Sequence, residues 1–263
     1  ISRGKKIDFY KYQKKRKSYR MKPAIAALAN HIAKWYGIDL NIEPLDTEDH
    51  GTIFVDYSLS NEKKIETIKN LKTIGERQGC TNYESLLLLN TSEDSKKSER
   101  KDQITSSVLV NEHDNIVNDN VRYRSQWPLI NEAKLKLTDV SFWNITGNVD
   151  KRKLSVPGSL SIRSMYYESC RGIEAWSIMC FKLDVFFEHK KQQQDADNYL
   201  LEDLFDQLTP EKRREMFAAT WVLMAITRAM ENCYLQIEHP ENSLSKVISS
   251  FIDKHPEYVT RLS

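Results

Sequence analysis

Two β-rich runs, residues 160–169 and 173–187, flank the dipeptide Arg171-Gly172, and no other local signal in the chain constrains its fold as strongly. Runs of branched and aromatic residues joined through a glycine turn read as the two arms of a β-hairpin. Ahead of them, Lys134-Leu135-Lys136-Leu137 and Val140-Ser141-Phe142-Trp143-Asn144-Ile145 also have strand character, with turn signals at Gly147-Asn148 and Pro157-Gly158. The centre of the chain is therefore expected to form an antiparallel sheet.

Helical spacing frames that sheet on both sides. Pro23 suits a first helical turn, Ile25, Leu28, Ile32 and Trp35 recur along one stripe, and Gly37 supplies a stop, which predicts a helix over residues 23–36. His31 within it reads as a packed or half-exposed polar residue. Residues 52–57 have strand composition. Asn61 can cap a helix whose stripe is Ile65, Ile68, Leu71 and Ile74, and a second short helix is expected over residues 82–89.

Beyond the sheet, Leu200, Leu201, Leu204, Phe205 and Leu208 return to helical spacing. Thr209-Pro210-Glu211 opens a helix that is apolar nearly all round and expected to run to about Tyr234 as the buried centre of the C-terminal half. Residues 243–251 complete the set. Helices, then strands, then helices predict an α+β fold: a helical N-terminal part, a central antiparallel sheet with a β-hairpin, and a helical C-terminal part.

Residues 90–120 are rich in Ser, Asn, Asp, Glu and Lys and offer little apolar periodicity, so burial there cannot offset the entropy of ordering. They read as a linker or insertion. The expected organisation is a basic arm over residues 1–22, a mainly helical part over 23–89, the linker over 90–120, and the sheet with its C-terminal helices over 121–263.

Charge is distributed very unevenly. Residues 1–22 hold ten of the 39 basic residues and one of the 37 acidic ones, leaving 29 basic against 36 acidic in the rest. The arm carries Arg3, Lys5, Lys6, Lys11, Lys14, Lys15, Arg16, Lys17, Arg20 and Lys22, interleaved with Tyr10, Tyr12 and Tyr19. Cations displace the counterions condensed on a phosphate backbone, and aromatic faces stack on unpaired bases. Single-stranded nucleic acid, RNA in particular, suits both. An anionic membrane surface and the acidic body of a second copy are the competing partners.

Several function classes lose ground on motif grounds. Neither Gly-x-Gly-x-x-Gly nor Gly-x-x-x-x-Gly-Lys-Ser/Thr occurs, and there is no His-Glu-x-x-His or Gly-x-Ser-x-Gly. Cys80, Cys170, Cys180 and Cys233 form no Cys-x-x-Cys pair, which favours a reducing, intracellular compartment, cytoplasmic or nuclear. The longest apolar run, residues 216–226, lies between Arg214 and Arg228 and falls well short of the roughly 20 residues that cross a bilayer. No transmembrane segment is expected.

One constellation resembles a hydrolytic centre. With residues 173–187 as a strand, Asp184, Glu188 and Lys190 would share a face, and Glu174 lies earlier on the same run. Two carboxylates can hold Mg²⁺ while an ammonium steadies developing charge, as in metal-dependent nucleases of the restriction type. The same acid-x-Lys spacing recurs at Glu62, Asp94, Glu99 and Glu132, where a solvated surface explains it.

The leading expectation is a non-enzymatic nucleic-acid-binding or self-assembling protein, nucleocapsid-, coat- or matrix-like, that works through its arm and needs neither metal nor cofactor. A homo-oligomer is expected, since one copy's arm can lie on the next copy's body. The alternatives are the metal-dependent nuclease and a scaffold on anionic membrane.

Overall fold

Leu86–Asn90 is buried at every position, the pattern of a strand covered by helices on both faces. The structure, a computed structural model, describes residues 18–91, 141–144, 158–199 and 208–262. Its strands are β1 (Thr52–Asp56), β2 (Leu86–Asn90), β3 (Ser141–Asn144), β4 (Ser161–Tyr166), β5 (Ala175–Cys180), β6 (Ala229–Gln236) and β7 (Val259–Leu262). They form one seven-stranded sheet in the order β3-β4-β2-β5-β6-β1-β7. Every pairing in it is parallel.

The helices are α1 (Pro23–Tyr36), α2 (Asn61–Arg77), α3 (Asn82–Ser85), α4 (Leu183–Lys191), α5 (Gln194–Asp197), α6 (Pro210–Ile226) and α7 (Ser243–Lys254). Alternation along the strands sorts them into two layers. Ile53, Val55, Leu87, Leu89, Ile178, Cys180, Cys233 and Leu235 face one core, shared with α1, α4, α6 and α7. Leu86, Leu88, Met179 and Tyr234 face the other, where Ile68 and Leu71 of α2 cover them. The result is a three-layer α/β fold. Parallel neighbours need long crossovers, and α2, the α4 to α6 segment and α7 supply three of them.

The antiparallel sheet and its hairpin are therefore corrected to an all-parallel sheet, and α+β to α/β. β4 and β5, the two runs read as hairpin arms, are not neighbours, because β2 lies between them and is parallel to both. Gly172, at φ 78°, belongs to a short crossover that also contains the 3-10 turn Tyr167–Ser169. A tight turn and a short crossover make the same local demand, a glycine in left-handed backbone between β-rich flanks. The deciding partner, four leucines about 80 residues upstream, is invisible in a local window.

Three further boundaries move. The short helix expected over residues 82–89 ends at Ser85, and β2 follows at once. The second run stops as a strand at Cys180, passes through Lys182 at φ 48°, and continues as α4. The helix expected to reach Tyr234 ends at Ile226, and β6 follows at once. The helices over residues 23–36, from Asn61, from Pro210 and from Ser243 form as expected. Most of the 90–120 segment lies outside the described residues, and the sheet draws strands from both sides of it.

Candidate functional site

Parallel strands share one amino edge, and Glu174 and Arg228 meet there because each directly precedes its strand. The Ala175 amide donates to the Arg228 carbonyl at 3.1 Å, which registers β5 against β6 at this edge. Arg228 is brought to the edge by the abrupt end of α6. Its own Nε donates to the Met224 carbonyl at 3.0 Å and its Nη2 to the Thr227 hydroxyl at 3.3 Å, so the guanidinium rests on the last turn of that helix. A cation is favoured there by the negative end of the helix dipole.

Arg20 arrives from the segment leading into α1. Ser18 Oγ accepts from the Met21 amide at 3.0 Å, the Lys22 amide donates to the Met230 carbonyl at 2.9 Å, and the Leu45 amide donates to the Met21 carbonyl at 2.8 Å. That stitching lays residues 18–22 along the start of β6. The Lys22 ammonium, on a residue only 8% exposed, contacts both Asp49 and Glu231 and lies 5.6 Å from the Trp176 ring centre. Gly51, at φ 72°, lets the loop carrying Asp49 approach, because a Cβ there would collide with the Glu231 carbonyl.

So positioned, Arg20 pairs with Glu174, and its Nη2 donates to the Thr227 carbonyl at 3.4 Å. Both guanidiniums thus converge on Thr227, one at its carbonyl and one at its hydroxyl. Partial burial and then the neighbouring Arg228 charge lower the pKa of Arg20. No carboxylate pairs with Arg228 among the described residues, so the cluster holds two cations against one anion. A phosphate group would meet preorganised planar donors here.

The residues expected to bind nucleic acid divide. Arg3, Lys5, Lys6, Tyr10, Lys11, Tyr12, Lys14, Lys15, Arg16 and Lys17 lie outside the described residues. Tyr19 is 80% exposed, Arg20 stands in the arginine pair, and Lys22 is committed to its two carboxylates.

The hydrolytic constellation is dispersed. Asp184, Glu188 and Lys190 lie on α4, not on a strand. The buried Asp184 carboxylate accepts from the Glu238 amide at 2.9 Å and the His239 amide at 2.7 Å, which makes it a cap for the chain leaving β6. Lys190 pairs with Glu168 at 2.8 Å and lies 4.2 Å from the Trp221 ring centre. Glu188 is 3.6 Å from Lys191, and Glu174 faces Arg20. Among the described residues no group of three or more His, Cys, Asp or Glu side chains could hold a metal ion. None of the described helices is long and apolar enough to cross a membrane.

Sequence reasoning missed Arg228 and Thr227 as site residues. The available signal was Thr227-Arg228 standing between an apolar helix and a second apolar run, where an edge cation marks the change of element.

No known protein family's sequence profile matches the chain, and no curated protein matches it. Among solved structures, it is similar to the C-terminal domain of a possible DNA helicase from Lactobacillus plantarum WCFS1, with a TM-score of 0.42 and 11% identity over 93% of this chain and 98% of that one. A likeness of that extent carries no argument about what this chain does. Neither fold nor comparisons support a coat, matrix or self-assembling role.

Proposed function

We propose that this chain is a nucleotide-phosphate-binding α/β domain of a nucleic-acid-handling protein, in which Arg20 and Arg228 together grip a phosphate group. The observation that carries the reading is the convergence of both guanidiniums on Thr227 beside the single carboxylate of Glu174. Guanidinium forks match phosphate oxygens bidentately, and backbone-positioned like charges gain when an anion enters between them. Glu174 holds Arg20 in place, and a bound phosphate would take over part of that role.

The chain has no glycine-rich phosphate loop. The remaining phosphates of a nucleoside triphosphate would then be cradled by another segment or chain, with these arginines supplied from the side in the manner of an arginine finger. The basic arm that leads directly into Arg20 extends the positive field and favours nucleic acid as the second partner.

The test is calorimetric titration of the full chain with ATP and with inorganic tripolyphosphate. Each lost charge-assisted hydrogen bond is worth roughly 1.5–3 kcal/mol, so Arg20→Ala and Arg228→Ala should each weaken binding about tenfold or more. Glu174→Gln should leave binding intact or tighten it. Wild-type chain that ignores millimolar tripolyphosphate, or arginine variants that bind as wild type does, would refute the reading.

A further inference from the structure

A concave feature lies at the other end of α1, in a region that contributes nothing to the arginine pair. Ala27, Asn30, His31, Lys34 and Trp35 of α1 and Lys254 and His255 at the end of α7 line a cavity of about 570 Å³. That volume is in the range that accepts a small ligand. The α1 helix, 14 residues long, puts roughly 20 Å between its two ends.

The lining has a definite chemical character. Trp35 is 48% exposed, one of the few large apolar side chains left so open among the described residues. It is backed by a series of rings: His31 at 6.3 Å from Trp35, Phe251 at 5.6 Å from His31, His255 at 5.0 Å from Phe251, and Tyr258 stacked 5.8 Å from His255. Lys34 and Lys254 flank it and have no ion pair among the described residues. The nearby carboxylates are already engaged, Asp253 with Arg261 at 3.8 Å and Glu257 with His255 at 3.3 Å. Asn30 is oriented by the Ile42 backbone, to which its side chain donates and from which it accepts.

We infer that this cavity is a separate contact for single-stranded nucleic acid, taking one unpaired nucleotide with its base on Trp35 and its phosphate between Lys34 and Lys254. An open indole face gains from stacking on any base, and paired ammoniums beside it match the adjoining backbone charge. An acidic peptide would satisfy the lysines but leave the indole face without a flat partner. His31 forms part of the wall: its ring hydrogen-bonds the Val247 backbone, and its Nε2 is buried behind the lining. Burial first, then the charges of Lys254, His255 and Lys34, lower the pKa of His31.

The experiment is fluorescence anisotropy of a labelled oligothymidylate eight nucleotides long. It uses the full chain and a background variant in which Lys14, Lys15, Arg16 and Lys17 are changed to Ala, so that the arm's contribution is separated. Trp35→Ala should weaken binding about fivefold or more in both backgrounds, while Trp35→Phe, which keeps a stacking face, stays within about twofold. Lys34→Ala with Lys254→Ala should reduce the salt slope by about 0.7, the value for one phosphate contact on a single strand. Unchanged affinity in Trp35→Ala, wild-type chain that does not bind the oligonucleotide, or equal displacement by oligoglutamate of matched charge would each overturn the proposal. Arg20→Ala should leave the Trp35-dependent part unaltered, so this outcome is independent of the tripolyphosphate titration.

Discussion

Lys22 reaches Glu231 across the junction between the segment entering α1 and the start of β6, and both side chains are nearly withdrawn from solvent, at 10% and 7% exposure. The contact ties the residue two places after Arg20 to the residue three places after Arg228. One buried pair therefore sets the spacing of both arginines. Removing one partner of such a pair leaves an uncompensated buried charge at a cost of about 3 kcal/mol or more. Lys22→Met should lower unfolding free energy in urea by that order and, in chain that remains folded, weaken tripolyphosphate binding with Arg20 and Arg228 both intact. Undiminished binding would show that the arginines are placed without the pair.

The same cluster gives a pH dependence with a definite sign. Burial alone would lower the Lys22 pKa, but hydrogen bonds to Asp49 and Glu231 outweigh it and raise the value above that of an ordinary lysine. A raised folded-state pKa stabilises the fold fully below the unfolded value and loses that contribution as pH rises through the folded value. Asp49 moves the other way, lowered first by its hydrogen bond from Lys22, so its contribution is present above the ordinary carboxylate range and lost as pH falls through the depressed value. Thermal melts should thus show Lys22-dependent stability lost above about pH 10.5. In Lys22→Met that alkaline step should be diminished.

On the opposite edge of the sheet, Tyr234 donates its hydroxyl to the fully buried Asp56 at 2.5 Å, linking neighbouring strands β6 and β1. Burial and then the carboxylate partner push the Tyr234 phenol far above its ordinary range, so the hydroxyl keeps its proton. Asp56 also accepts from the Ser58 amide at 2.8 Å and hydroxyl at 2.6 Å. Deleting one charge-assisted bond costs about 1.5–3 kcal/mol. Tyr234→Phe should lower the urea midpoint by that equivalent while leaving both phosphate and oligonucleotide binding unchanged.

What the sequence discloses follows from how local each cause is. Helix α1 is legible because Pro23, its alanine and isoleucine stripe and Gly37 all act within 15 residues. Helix α6 is legible at its start, where the Thr209 hydroxyl accepts from the Lys212 amide at 3.2 Å. Its end is hard to read, because the polar break at Thr227-Arg228 contains no glycine or proline to stop the helix, and burial on both faces erases the alternation that would mark a strand. The parallel order is hidden for another reason: β2, built from leucines that lack β-branching, pairs with β4 and β5 far along the chain. The site inherits that difficulty. Arg20 stood out as part of a basic arm, whereas Arg228 acquires its meaning only once β5 and β6 are neighbours.

Asp184 shows how a carboxylate that looks chemical in sequence can be architectural. Its side chain accepts two consecutive amides, Glu238 and His239, and lies 3.4 Å from the Asn242 side-chain amide, pinning the turn between β6 and α7 to the first turn of α4. An acid in that first turn also favours the positive end of the helix dipole. Asp184→Ala should leave two part-buried N–H groups without this acceptor, at about 1 kcal/mol each, the low end for such groups because neither is fully withdrawn from water. Asp184→Asn should cost less, because its carbonyl oxygen still accepts one of them. Urea denaturation of the two variants checks the ranking, and Asn as damaging as Ala would mean that the charge, not the acceptor, is what the turn requires.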